Sequence, residues 1–434
     1  MYVTVSLRVE LDTTANLTQM EQQIQETGRA AMQEALRQAI RQREEQQKTC
    51  PRCGGEQRHG EGTKQRVVLS CFGRVEVPLR RMRCEQCGQR YRPADPALAE
   101  IKGSKVTPQL RELAALVGCS WPYESAASVL KQLSGVHLSD ERVRQLTNEQ
   151  GSALADRQMN EAQEVLDKAV SMTHIRDERE RRSARRAERS PEWLEVGLDG
   201  GWLPSREQKG GMEGKIGVIA SQLDPVGKHG RHRLTKRRYV ATFAGADDAG
   251  TLSYAAACEL EATEAGQQVV LGDGAEWIKT QSQHHFPQAV KILDWPHLCR
   301  KIQAAIRALQ PGKRASWRAW RKEQYEMLFP LLWDGKRVQA LAYLWSLRPA
   351  SGEAPRAFDE AVNYLQTQAD WMGNYQAWRE QGYPVGSGLV ERAVAVVINM
   401  RMKRRGMRWK RSNATSVVAL RVQRINTDWE PHAA

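Results

Sequence analysis

No stretch of about eighteen consecutive apolar residues occurs in this 434-residue chain, so a membrane-spanning helix is not expected. The opening MYVTVSLRVELD lacks a basic region followed by an apolar block, so no secretory signal is expected either. Cysteine is sparse. Eight residues cannot staple a chain of this length, and four of them form two tight pairs, which reads as metal binding in a reducing, cytoplasmic compartment. Acidic residues are missing altogether from Arg392 to Arg424, a segment with ten Lys/Arg. Ion pairing within that segment therefore cannot explain its basic residues.

What is present describes a globular protein. Hydrophobic residues make up 41%, and the mean hydropathy is −0.62. The length suggests about two to four domains. Lys+Arg exceed Asp+Glu by 65 − 51 = 14, a surplus that points to a polyanionic partner.

Residues 3–11 alternate, with Val3, Val5, Leu7, Val9 and Leu11 on one side, and predict a half-buried strand. From Leu17 to Lys48 the period becomes helical, with a narrow stripe of Leu17, Met20, Ile24, Met32, Leu36 and Ile40. The stripe suits a surface helix, and a dimerising coiled coil is the alternative. Residues 1–48 form this first segment.

Residues 49–92 carry Cys50-Pro-Arg-Cys53 and Cys84-Glu-Gln-Cys87. Between the pairs, Val67–Cys71 and Arg74–Leu79 read as strands around the turn Phe72-Gly73. Gly54 and Gly88 follow the pairs, where the backbone must curl to aim two thiolates at one ion. Four thiolates suit a structural zinc and leave no open position for catalysis, so a zinc ribbon is expected. Cys71 sits in mid-strand and reads as a small hydrophobe, and Cys119, Cys258 and Cys299 as core residues.

Residues 105–152 predict three helices, Thr107–Gly118, Pro122–Ser134 and Ser139–Gln150. Gly135 breaks the pattern and Ser139 offers an N-cap. Ala127, Leu130, Leu133, Leu138, Val143 and Leu146 supply the inner face. Arg142 and Arg144 are left on the outside of the last helix, as in a DNA-reading helix-turn-helix. Residues 153–190 follow as a charged helical linker. Its stretch Arg176–Ser190 holds seven Arg and four acids.

The second half predicts strands at Leu194–Asp199, Lys215–Gln222 and Arg238–Ala244, then a helix at Asp247–Thr263. A strand at Gln268–Gly272, a helix from Ala275 and a strand at Ala289–Asp294 complete a mixed α/β sheet. The chain then reads as helical to about Arg379, and a final helix starts near Gly388. Asp199 and Asp273 each end a strand beside glycines, and Glu391 opens the last helix in Gly386-Ser-Gly-Leu-Val-Glu391. A single strand-end Asp is commonly a cap or turn former. Three glycine-flanked acids suggest a site beyond the strand ends.

The motifs LDGGW (Leu198–Trp202), GDGAEWI (Gly272–Ile278), GSGLVE (Gly386–Glu391) and KRRGMRW (Lys403–Trp409) resemble bacterial insertion-sequence transposases of the DDE class, particularly the Kra-type branch and its relatives. The resemblance implies a ribonuclease-H-like catalytic core at residues 191–310 and 384–426, with a helical insertion at 311–383. It implies Asp199, Asp273 and Glu391 as the catalytic triad. Asp294-Trp-Pro-His297 resembles an acidic-x-x-His motif placed after the second Asp in several transposase superfamilies, which would make Asp294 and His297 accessory residues. His297 could equally be an ordinary helix-start histidine. Transposon ends and target would be the double-stranded DNA partners, bound by a homodimer or larger assembly near the bacterial nucleoid.

The chemistry of the residues agrees. Carboxylates without His or Cys ligands favour Mg²⁺ or Mn²⁺, and two such ions can clamp both oxygens of a phosphodiester displacement. The segment with Lys403, Arg404, Arg405, Arg408 and Trp409 suits phosphate contact with an apolar wedge or base stack. Residues 228–238, with Lys228, Arg231 and Arg237, read as a basic hairpin. Rival expectations are a nuclease on the same core, a non-catalytic zinc-containing DNA-binding regulator and, remotely, a glycosidase using Asp199 and Asp273.

Overall fold

A computed structural model describes residues 2–172, 193–221, 223–226, 231–234, 236–263, 265–310, 314–349 and 353–428. Two compact units are present, Met1–Gln150 and Gly151–Ala434. Among the described residues, no helix is long and apolar enough to cross a membrane.

In the first unit, α1 (Leu17–Gln46) starts at a capping box in which Asn16 and Gln19 bond each other's backbone amides. Its C-terminal half packs Leu36 and Ile40 onto a hairpin of β1 (Arg58–Ser70) and β2 (Gly73–Cys84), where Val68, Val75, Val77 and Leu79 are buried. Leu17, Ile24 and Met32 remain exposed, as on a surface helix. A two-residue strand, β3 (Arg90–Tyr91), pairs with β2.

Residues 3–11 form no strand, contrary to the alternation. They have no partner strand among the described residues, and without a ladder an alternating pattern leaves Leu7 and Leu11 exposed.

Helices α2 (Pro108–Ser120), α3 (Tyr123–Ser134) and α4 (Asp140–Met172) follow. Gly135 ends α3 at φ 69°, and the Ser139 hydroxyl caps α4 by accepting from Arg142 N at 3.1 Å. Leu110, Ala114, Leu130, Leu138, Val143 and Leu146 are buried together. Leu133 is 77% exposed, because it lies on the outer side of the last turn of α3. Helix α4 continues unbroken to Met172, and Arg176–Ser190 lies outside the described residues.

The second unit is built on a five-stranded mixed sheet. Its strands are β4 (Trp193–Leu203), β5 (Met212–Ala220), β8 (Arg237–Thr242), β9 (Gln267–Gly272) and β10 (Val290–Leu293). Between β5 and β8 lies a separate antiparallel pair, β6 (Leu223–Val226) and β7 (Arg231–Leu234). The sheet order is β10-β9-β4-β5-β8; β5 runs antiparallel to both neighbours, while β4, β9 and β10 are parallel. Strands β4, β5 and β8, with no helix between them among the described residues, thus form one half, and the helices α5 (Ala246–Glu259) and α6 (Glu276–His285) deliver the parallel strands.

Both faces of the sheet are covered. On one, Leu194, Val196, Leu198 and Val270 meet α5, α6 and a helical layer in a single apolar cluster. That layer comprises α7 (Trp295–Leu309), α8 (Ala315–Trp333), α9 (Arg337–Ser346), α10 (Arg356–Thr367) and α11 (Tyr375–Glu380). On the other face, Ile216 and Val218 meet α12 (Gly388–Ala393), a π-helical turn at Val394–Asn399 and α13 (Arg411–Asp428). The central strand β4 is nearly all buried, Glu195 included.

Candidate functional site

Parallel pairing sets three acids level. The register pairs Gly197 with Leu271 and Leu293 with Gly272, so Asp199, Asp273 and Asp294 follow at the same edge of β4, β9 and β10. Each sits at or just beyond the C-terminal end of a parallel run, where open α/β sheets place their ligands. Gly274 adopts φ 80°, the left-handed region that glycine tolerates, and turns the chain away from Asp273.

Glu391 reaches the same edge from α12. Its neighbour Val390 packs over Gly197, where a Cβ would lie only 3.3 Å from Val390 Cβ. A Cβ at Gly201 would come within 2.7 Å of Ile398 Cδ1. Gly197 and Gly201, on either side of Asp199, therefore let a helical segment settle close against β4. That second role of the glycines was not legible from the motif alone.

The electrostatics reflect this convergence. Burial pushes the Asp199 carboxyl up to about 6, and Asp273, Glu391 and Asp294 repel its negative form, against one hydrogen bond from Gly200 N at 2.7 Å. Burial also raises Asp294, aided by Glu391, while bonds from Ser387 N at 2.7 Å and His297 N at 2.9 Å oppose the rise. His297 is lowered by burial, against the attraction of Asp273. Its ring lies 6.0 Å from that of Tyr364.

Hard oxygen donors suit Mg²⁺ or Mn²⁺ in kind. Their spacing is open, however. Among the described residues, the only group of three or more Cys, His, Asp or Glu gathered closely enough for one ion is Cys50, Cys53, Cys84 and Cys87. Beside the carboxylates, Arg300 Nη2 stands 3.2 Å from Glu391 Oε1.

The four thiols could hold a metal ion such as zinc. All four sulfurs lie within 4.8 Å of one another, with Cys50–Cys87 at 3.7 Å and Cys53–Cys84 at 3.6 Å. Zn–S bonds of about 2.3 Å in a tetrahedron give edges of about 3.8 Å. Two matching turns present them: Gly54 N donates to Cys50 O and Gly88 N to Cys84 O, with φ of 75° and 70° at the glycines. Cys71 lies apart, packed beside the helical core.

The basic residues divide. Lys403, Arg404, Arg405 and Arg408 are exposed on a loop that pairs with the chain after β4 through Arg206 N to Trp409 O at 2.8 Å. Trp409 is only 6% exposed, and its indole donates to Met402 O at 2.9 Å. It is a core residue, not the expected stacking surface, because the loop folds back across it. Arg401 is buried with its guanidinium 5.2 Å from the Trp409 ring, and Arg421 donates to the carbonyls of Val396 and Val397 in the π-helical turn. Arg142 and Arg144 pair with Glu149 and Glu141 on the surface of α4. Arg237 lies beside the Tyr239 ring. Lys228 falls outside the described residues, and Arg231 lies in β7.

Three residues at the site were not singled out from sequence. Arg300 follows His297 by three positions on α7, so helical spacing could have found it. Tyr364 donates its hydroxyl to Asp273 O at 2.6 Å, and Gln368 Nε2 to Gly274 O at 3.0 Å. These two come from the helical layer, with no local signal of their partners.

The family model described as "Uncharacterised protein family (UPF0236)" matches residues 10–430. A "UPF0236 protein in vanSb 3′region" from Streptococcus gallolyticus is 23% identical over 376 residues, covering 83% of this chain and 73% of that protein. With the family model spanning nearly the whole sequence, the chain belongs to the UPF0236 family.

Proposed function

We propose that this chain is a DDE-type DNA transposase with a ribonuclease-H-like core. The observation that carries the reading is the convergence of Asp199, Asp273 and Glu391, from three distant segments, on one edge of a mixed sheet. Three adjacent antiparallel strands followed by two helix-delivered parallel strands suit such a core. A zinc ribbon and a helix-turn-helix precede it, and residues 311–383 serve as its helical insertion.

Asp199, Asp273 and Glu391 would hold two Mg²⁺ or Mn²⁺ ions, whose chemistry is to activate the attacking oxygen and stabilise the departing 3′ oxygen of a DNA phosphodiester. The protein's part is positioning. Strand β4 fixes Asp199 in a buried sheet, and Tyr364 and Gln368 hold the backbone of the Asp273 turn. Asp294 ties the segment before α12 to the end of β10. The exposed Lys403, Arg404, Arg405 and Arg408 would grip phosphates of double-stranded DNA, with transposon ends and target bound by a dimer or larger assembly.

The test uses oligonucleotides copied from the DNA that flanks the gene, chosen for any terminal inverted repeats found there and incubated with the purified chain and Mg²⁺. Cleaved and joined products are expected. Glu391→Gln should reduce both by at least about two orders of magnitude while leaving folding and DNA affinity near normal. Cleavage without joining would favour a nuclease on the same core. Absence of both, with DNA binding intact, would favour a zinc-containing regulator.

A further inference from the structure

The geometry points to Arg300 as a phosphate-binding residue that occupies Glu391 only until a divalent ion replaces it. This inference rests on the carboxylate site proposed above.

Four acids lie at the sheet edge, and Arg300 is the cation paired with them among the described residues. Its Nη2 lies 3.2 Å from Glu391 Oε1 and 3.9 Å from Asp294 Oδ2. The two contacts differ in kind. Asp294 is almost fully buried, and each of its oxygens already accepts a backbone N–H, from Ser387 and from His297. It has little need of a guanidinium. Glu391 is 44% exposed, and its carboxylate has no bond from any other described residue. The pair that matters is therefore Arg300–Glu391.

The form of this pair is that of a replaceable contact. The Arg300 side chain is 57% exposed, and only Nη2 is engaged. Nε and Nη1 have no partner among the described residues, so the guanidinium keeps donors to spare. A half-exposed ion pair contributes little to stability and exchanges readily. A doubly charged ion at Glu391 outcompetes a monovalent side chain for the same oxygens. The displaced guanidinium then stands beside the ions, where a DNA phosphate must lie for its bond to be displaced. A planar fork with free donors matches two phosphate oxygens. The neighbouring Lys301 is less suited, since its Nζ lies 5.8 Å from the centre of the Tyr364 ring.

Competition and simple orientation predict opposite signs, which the full-length chain can separate. Mn²⁺ binding without DNA is measured by electron paramagnetic resonance for the unsubstituted chain, Arg300→Gln, Arg300→Lys and Glu391→Gln. Arg300→Gln removes the competing charge and should tighten Mn²⁺ binding about 2- to 5-fold, the range of an exposed pair. In Ca²⁺, the log–log salt slope of its duplex affinity should fall by about 0.9, the amount expected for one phosphate, and Arg300→Lys should keep the slope. Weaker Mn²⁺ binding in Arg300→Gln would mean that Arg300 only orients Glu391, and an unchanged slope would mean that it touches no phosphate. Either overturns the inference. Mn²⁺ binding that is unaffected by Glu391→Gln would instead remove the carboxylate site itself, a failure recognised before any Arg300 variant is compared.

Discussion

The Asp294 carboxylate accepts a hydrogen bond from the Ser387 amide at 2.7 Å, across 93 residues of sequence. Its other oxygen caps α7 through His297 N at 2.9 Å, and Trp295 N donates to Val385 O at 3.0 Å beside it. The resemblance to an acidic-x-x-His motif suggests Asp294 as an accessory residue. In the fold, both of its oxygens are taken by backbone amides, and it is 1% exposed. Its work is to hold the segment leading into Glu391 against the end of β10.

Removing that tie should cost stability as well as activity. Asp294→Ala deletes a helix cap, about 1 kcal/mol, and strands a buried Ser387 N–H, about 1–3 kcal/mol. Urea unfolding should therefore show a loss of about 2–4 kcal/mol, with Asp294→Asn intermediate because its amide keeps one acceptor oxygen. An Asp294→Ala midpoint equal to that of the unsubstituted chain would mean that water replaces both bonds.

The thiol cluster makes a stoichiometric prediction. Purified protein should carry about one zinc per chain, and Cys84→Ser should lose it, since three thiolates no longer close the site. Because the ligands fall between Cys50 and Cys87, chelation should expose the first unit to limited proteolysis and leave the sheet of the second protected. Zinc content unchanged in Cys84→Ser would exclude this set of ligands.

Two kinds of basic-segment variant should behave differently. Arg404→Ala with Arg405→Ala removes exposed charges, so the salt slope of DNA binding should flatten by about 0.9 for each phosphate no longer neutralised, with stability unchanged. Trp409→Ala should instead destabilise by about 3–5 kcal/mol, the cost of emptying a buried aromatic site. Normal stability in Trp409→Ala would return that residue to the DNA-facing surface.

Much of the architecture could be read locally. The five strands of the main sheet, the CxxC turns with Gly54 and Gly88, and the Ser139 cap depend on neighbours within a few residues. Period, turn chemistry and capping report such neighbours directly. Contacts made across long separations were not legible. Residues 3–11 have a strand's alternation, but alternation cannot supply a partner. Trp409 among basic residues looks like a stacking surface until its loop is seen to fold under the end of β4. Arg421 lies in the same acid-free basic segment, and nothing local to it announces the carbonyls that the π-helical turn presents to it. The site lies between these cases. Glycines marked Asp199, Asp273 and Glu391, whereas Arg300, Tyr364 and Gln368 needed the fold.

Glu195 is buried in β4, and its carboxyl is pushed up to about 7 by burial alone. A carboxyl whose pKa is higher folded than unfolded favours folding while it is protonated. That contribution is fully present below the unfolded value, near 4.5, and is lost as pH rises through about 7. Above that window the fold must hold a buried negative charge, which costs roughly 3 kcal/mol for a shift of this size. Glu195→Gln keeps the shape and cannot ionise, so it should escape the cost. Urea unfolding at pH 5 should give similar stabilities for the variant and the unsubstituted chain. At pH 8 the variant should be more stable, by up to roughly 3 kcal/mol. A variant less stable at pH 8 would show that Glu195 is ionised and held by a cationic partner, reversing the sign of its contribution.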